Sequence, residues 1–196
     1  MKGGMSIAAR ADLFSDLLKR SNVTDKKKNK QELEQGMATL CDWLTELREE
    51  ERCLYILGNG GSAGVAAHAV TDFFNAAKLK AITLHESSLL TCMSNDYGYE
   101  NAFALMLSQM VKPKDVVIVI SSSGQSMNIR NAAQQALQSS ALVVTLSGFG
   151  SDNPLRLMGE LNFWLDSDDY GMVEIGHQFI LHNISDRLRK KLSGET

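Results

Sequence analysis

Apolar residues run along this chain in two alternating rhythms. Short continuous runs occur at residues 52–57, 80–84, 115–120, 142–146 and 161–165. Each reads as a strand buried on both faces. Asp115-Val116-Val117-Ile118-Val119-Ile120 is the strongest of them, β-branched and apolar once past Asp115, with Pro113 marking its boundary. Residues 65–74, 100–110, 126–138 and 171–192 carry helical patterns between and after these runs. Strand and helix in alternation imply a parallel sheet covered on both sides, a three-layer α/β/α sandwich with five strands. Two helices are predicted ahead of the first strand. Residues 8–19 place Leu13, Leu17 and Leu18 on one face, and residues 31–50 line up Leu33, Met37, Leu40, Leu44 and Leu47 at steps of four and three. That second stripe suits burial against the domain or against the same helix of another subunit. Its position ahead of the sheet favours the oligomer contact. The expected division is therefore a helical segment over residues 1–50 and an α/β domain over 51–196.

Composition narrows the class. The 196 residues are 44% hydrophobic and 22% charged, as in a globular protein with a core of its own. A net charge of −3 gives no case for nucleic-acid binding through bulk electrostatics. The basic run Lys26-Lys27-Lys28 lies in a polar stretch, residues 22–30, that reads as a solvated linker in preference to a nucleic-acid contact. Cys41, Cys53 and Cys92 have no CxxC spacing and read as buried reduced thiols. No apolar run reaches membrane-spanning length, and the start has no signal-peptide pattern, so the cytoplasm is the expected address.

Two turns carry the candidate chemistry. Gly58-Asn59-Gly60-Gly61-Ser62-Ala63-Gly64 joins the first strand of the sheet to the helix at residues 65–74. Glycines let a ligand approach the backbone, and helix N-terminal amides favour an anion. The same turn also serves as a simple connection. It is neither GxGxxG nor GxxxxGK[ST], so no nucleotide cofactor is expected. The second turn, Ser121-Ser122-Ser123-Gly124-Gln125-Ser126, ends the third run. Its hydroxyls exceed what one helix cap needs, although Ser126 is itself a good N-cap residue. Without lysine or arginine the loop suits a monophosphate ester better than a triphosphate. Both turns lie at carboxyl ends of strands, where ligands bind in such sheets.

These turns, together with Ala67-His68 and Ser94-Asn95-Asp96-Tyr97-Gly98-Tyr99-Glu100, resemble the SIS (sugar isomerase) domain, and within it the phosphoheptose isomerases. The likeness runs from residue 31 nearly to the C-terminus. It implies a flavodoxin-like domain with leading helices, assembled as a homotetramer, acting on sedoheptulose 7-phosphate or a similar ketose phosphate. Carried over by motif, Asn59, Gly60, Gly61, Ser62, Asn95, Asp96 and Glu174 contact substrate. Ser121, Ser122, Ser123 and Ser126 hold the phosphate. His68, Asp72, Glu174 and His182 ligate zinc, and Asp72 and His182 form the acid/base pair.

Two positions depart from the family pattern: Asp72 stands where the family has Glu, and Glu174 where it has Gln. With neutral His68 and His182, the two carboxylates Asp72 and Glu174 match a divalent charge, so the site is expected to hold zinc more tightly than a typical member. Eight residues of straight helix between Glu174 and His182 span about 12 Å, a gap that a tilted approach, long side chains or a neighbouring subunit must close. If Asp72 ligates zinc, Glu174 becomes a rival base. His177 reads as a packed residue, and His85 has no assigned role. On the same fold, two further readings stay open. One is a sensor that binds a sugar phosphate without turnover, the other a regulator that binds a partner protein. His68, Asp72 and His182 together favour the enzyme.

Overall fold

A computed structural model describes residues 6–194. The chain opens with α1 (Ile7–Arg20), whose N-terminal amide at Ala9 donates to Ser6 Oγ at 3.2 Å. A hairpin of β1 (Asn22–Asp25) and β2 (Lys30–Gln31) follows, then α2 (Leu33–Glu49). The α/β alternation begins with β3 (Cys53–Gly58), α3 (Gly61–Asn75) and β4 (Lys80–Ile82). Next come α4 (Ser87–Tyr97), α5 (Tyr99–Met110), β5 (Val116–Ser121), α6 (Met127–Gln138) and β6 (Leu142–Ser147). A 3-10 turn (Pro154–Leu157), β7 (Leu161–Trp164) and α7 (Tyr170–Ser193) complete it.

The sheet order is β2-β1-β7-β6-β5-β3-β4. The five strands from β7 to the edge strand β4 are parallel, as the apolar runs predict. Alternate residues feed two separate cores. Ile56, Ile118, Ile120, Val144 and Leu146 face α2, α3 and α7, while Leu57, Val117, Val119 and Val143 face α5 and α6. The three-layer architecture thus follows from the two-residue side-chain period.

Several expectations are corrected. The sheet has seven strands, because the stretch expected as a linker forms a hairpin, with β1 antiparallel to β7. Val23 is its one apolar anchor, fully buried over Gly36, and the Asp25 carboxylate accepts from the amides of Lys27 and Asn29 to fold the lysine-rich tip. The α2 stripe, expected to favour an oligomer contact, is taken up within the chain. Met37, Leu40, Leu44 and Leu47 are buried within the chain, where α2 packs on α7, β1 and β7. Of the apolar positions on α1, Leu17 is buried but Leu13 is exposed, and the Cys92 thiol is exposed as well. Cys41 and Cys53 are half-buried.

α7 is pinned to the sheet by a buried histidine, as expected for His177. Its Nε2–H donates to the Ser147 carbonyl at 3.2 Å, and burial pushes its pKa down to about 4. The native imidazole is therefore neutral where the unfolded one, with an ordinary value near 6.5, takes up a proton. The contribution is complete above pH 6.5 and is lost as the pH falls towards 4. Between pH 6.5 and 5 it amounts to about 2 kcal/mol. Urea unfolding at the two pH values shows that loss in the parent and a smaller one in His177→Gln. Equal losses in the two proteins sink the assignment.

Candidate active site

Three helix N-termini converge on one cavity at the carboxyl edge of the sheet. It holds about 270 Å³ and is lined by Asn59, Gly60, Gly61 and Ser62 at the start of α3, and by Ile120, Ser121, Ser122, Ser123 and Ser126 ahead of α6. Tyr170 and Glu174 of α7 complete it. Gly60 takes the N-cap position of α3 at φ 53° and offers no side chain to its amides. Gly124, at φ 66°, closes the serine turn through its amide to the Ser121 carbonyl at 3.0 Å. Ser126 stands at the N-cap of α6, yet its hydroxyl makes no capping bond and instead accepts from Ser121 Oγ at 3.2 Å. That differs from the expected cap and leaves the first-turn amides of α6 uncapped. Ser122 Oγ is buried with no partner, a cost of about 1–3 kcal/mol unless a ligand satisfies it. Hydroxyls and helix-end amides without a cation among the lining residues make a cradle for a phosphate ester.

A second layer fixes the Gly-rich turn. The Asn59 and Asn128 carboxamides bond reciprocally at 2.9 Å, and the Tyr99 hydroxyl donates to Asn59 Oδ1 at 2.7 Å. His85 Nε2–H donates to the Gly58 carbonyl at 2.9 Å while Nδ1 accepts from the Thr83 hydroxyl at 2.7 Å. Burial lowers the pKa of His85, which keeps it neutral in that bridge. Sequence reasoning missed Asn128 and Tyr170 and gave no role to Tyr99 or His85. Tyr99 did lie inside a quoted motif, but nothing local marks the partners of the other three.

His68 and Asp72, one turn apart on α3, meet His182 of α7. His182 Nδ1 lies 2.8 Å and His68 Nε2 3.3 Å from Asp72 Oδ2. The two imidazoles are half exposed, at 56% and 52%, whereas the Asp72 side chain is 17% exposed. Their ligating atoms all lie within 4.8 Å of one another. Glu174 is not in this group. Its carboxylate packs directly over Gly61, in the cavity, because the two helical turns to His182 keep it apart. Within this chain, three of the four expected zinc ligands come together and Glu174 stands apart from them. Asn95 and Asp96 do not line the cavity either. They are exposed on α4, where the Asn95 amide donates to Asp96 Oδ1 at 2.9 Å.

Comparison with known proteins bears on the family and the fold. The SIS domain model matches residues 20–148. A phosphoheptose isomerase of Geotalea daltonii is 33% identical over 171 residues, covering 84% of this chain and 88% of the relative. The chain belongs to the SIS-domain phosphoheptose isomerase family. The solved structure of a phosphoheptose isomerase from Francisella tularensis superposes with a TM-score of 0.74 at 26% identity, over 79% of this chain and 85% of that one. The phosphoheptose isomerase of Neisseria gonorrhoeae shares the fold, with a TM-score of 0.79 at 20% identity, over 93% and 96% of the two chains. In this phosphoheptose isomerase fold, α3 and α7 both start at the cavity and pack on each other. Each carries its share of the His68–Asp72–His182 group away from the cavity.

Proposed function

We propose that this chain isomerises a phosphorylated ketose to the corresponding aldose, with sedoheptulose 7-phosphate as substrate. The observation that carries the reading is the pairing of a phosphate cradle with an acid/base group on the same two helices. Along α3, Gly61 to His68 spans about 10 Å, and along α7, Glu174 to His182 spans about 12 Å. On this reading a phosphate is seated at Ser121–Ser126 and the sugar chain runs along α3 and α7 towards Asp72 and His182. That separation suits a long sugar better than a triose.

The Asp72 carboxylate removes the proton on the carbon next to the carbonyl. His182 is held through Nδ1 by Asp72, so Nε2 serves the substrate oxygens, donating to the carbonyl as the enediol forms. Return of the carbon-bound proton to the adjacent carbon, while the other enediol hydroxyl gives its proton back to His182, yields the aldose. Two nitrogens and one carboxylate oxygen, all within reach of one ion, fit zinc with an open position. His68, Asp72 and His182 would hold it, and bound there it would polarise the substrate carbonyl.

A homotetramer is the assembly proposed, with Phe74, Ile175 and Phe179 supplying exposed apolar surface on the helices that carry the cluster. Among the described residues no helix is long and apolar enough to cross a membrane. The cytoplasm is the proposed address, in keeping with three free thiols.

An NMR assay with sedoheptulose 7-phosphate in D2O, with and without zinc, tests the reading. Product formation with deuterium entering next to the carbonyl is expected. Binding without exchange shifts the protein to the sensor reading, and neither binding nor exchange rejects the sugar-phosphate assignment.

A further inference from the structure

The cavity contains one wall that a phosphate does not need. Tyr170, the first residue of α7, lines it one turn before Glu174 and on the same face. Among the described residues it is the only aromatic one in the lining. The face of an aromatic ring carries negative potential and gives an anion nothing. Yet the ring is firmly held. Phe149 packs edge-on against it, with centroids 4.7 Å apart and planes at 74°. Phe149 itself sits at φ 56°, an unfavourable conformation for a bulky residue. The conformation is enforced from both sides, by its amide to the Ser167 carbonyl at 2.8 Å and by Trp164 Nε1–H to its own carbonyl at 3.2 Å. Below Tyr170, Asp169 caps α7 through the Met172 amide at 3.1 Å and pairs with Arg10 at 3.0 Å.

The same loop also supports the serine turn. Asn153 Nδ2–H donates to Ser147 Oγ and to the Gly148 and Gly150 carbonyls, and its carboxamide packs directly on Gly124. Residues 147–153 thus buttress the phosphate cradle on one side and the aromatic wall on the other. A strained, doubly anchored loop that fixes a half-exposed ring over a polar cavity is explained by a ligand that has an apolar surface next to its anion.

Resting on the isomerase reading above, we infer that Tyr170 is a specificity-determining contact for the carbon chain beside the phosphate. Its ring packs on the C–H surface of the sugar next to the phosphate. A bare phosphate ion does not reach it.

Calorimetry with two probes, inorganic phosphate and sedoheptulose 7-phosphate, separates these contacts. Tyr170→Ala is expected to weaken sugar-phosphate binding about tenfold, the effect of losing one packed aromatic contact, and to leave inorganic phosphate affinity unchanged. Turnover shows the same split, with KM raised and kcat kept. Tyr170→Phe retains binding within about threefold, because the ring and not the hydroxyl makes the contact. Phe149→Leu, which loosens the ring without touching the cavity, gives a smaller loss of the same kind. Equal weakening of both probes in Tyr170→Ala, or no weakening of the sugar phosphate, overturns the inference. A parent that binds sugar phosphate no better than phosphate overturns it as well. Failure of the isomerase reading shows differently: Tyr170-dependent sugar-phosphate binding with no deuterium exchange upholds the contact and removes the catalysis.

Discussion

Asp72→Asn lowers turnover about a thousandfold, within the range expected when a positioned general base is removed. The amide is nearly isosteric, but it cannot take a proton, and it no longer offers His182 Nδ1–H a carboxylate partner. His182→Ala is expected to reach a similar floor. The double variant is little worse than either single one, because residues that act as a unit do not add. His68, at 3.3 Å from the carboxylate against 2.8 Å for His182, makes the weaker contact. His68→Ala therefore costs less turnover than His182→Ala. Folding stability changes little in all of these, since both imidazoles are half exposed and ion pairs of that kind contribute little. Initial rates by NMR, with thermal melts alongside, make the check. Asp72→Asn retaining a third or more of parent turnover removes Asp72 as the base and makes Glu174 the carboxylate to examine.

Much of this arrangement is legible in the chain because its central strands are extreme. Val116 to Ile120 has no polar side chain, so no other element accommodates it. The two Gly- and Ser-rich turns follow such strands directly, and both end at the cavity. Local pattern fails where a single contact decides. Val23 alone turns a polar stretch into β1, and α4 buries no residue, so neither shows an apolar rhythm. The α2 stripe was visible, but not its partner, because α7 arrives more than a hundred residues later. Ser126 occupies the cap position without capping, since Ser121 claims its hydroxyl from across the turn. Glu174 shows the opposite case. Helix arithmetic says that it does not easily meet His182 at one ion, and its carboxylate lies in the cavity over Gly61.

The cradle itself is the most fragile part of the site, and Gly58→Ala exposes that. Gly58 ends β3, and a Cβ there would lie 2.5 Å from the Ser62 carbonyl oxygen and 2.6 Å from its carbon. Both are backbone atoms of the first turn of α3, so no side-chain rotation relieves the overlap. The turn must move outward, and the amides at Gly61 and Ser62 move with it. The His85 bridge to the Gly58 carbonyl is disturbed by the same shift. Overpacking at a rigid contact of this kind costs about 3 kcal/mol. Phosphate affinity is expected to fall by more than tenfold, because helix-end amides act on an anion only at close range. Gly64→Ala is the matched control. A Cβ at Gly64 meets nothing within 4 Å, and the position lies inside α3. Replacing glycine by alanine there is expected to stabilise the chain by about 0.5–1 kcal/mol through helix propensity and to leave phosphate binding intact. Urea denaturation and phosphate calorimetry on the two variants read both quantities. If Gly58→Ala matches Gly64→Ala in stability and affinity, the close approach of β3 to α3 is not what shapes the cradle. If only Gly58→Ala loses both, one missing methyl group at the strand end sets the position of the amides that receive the phosphate.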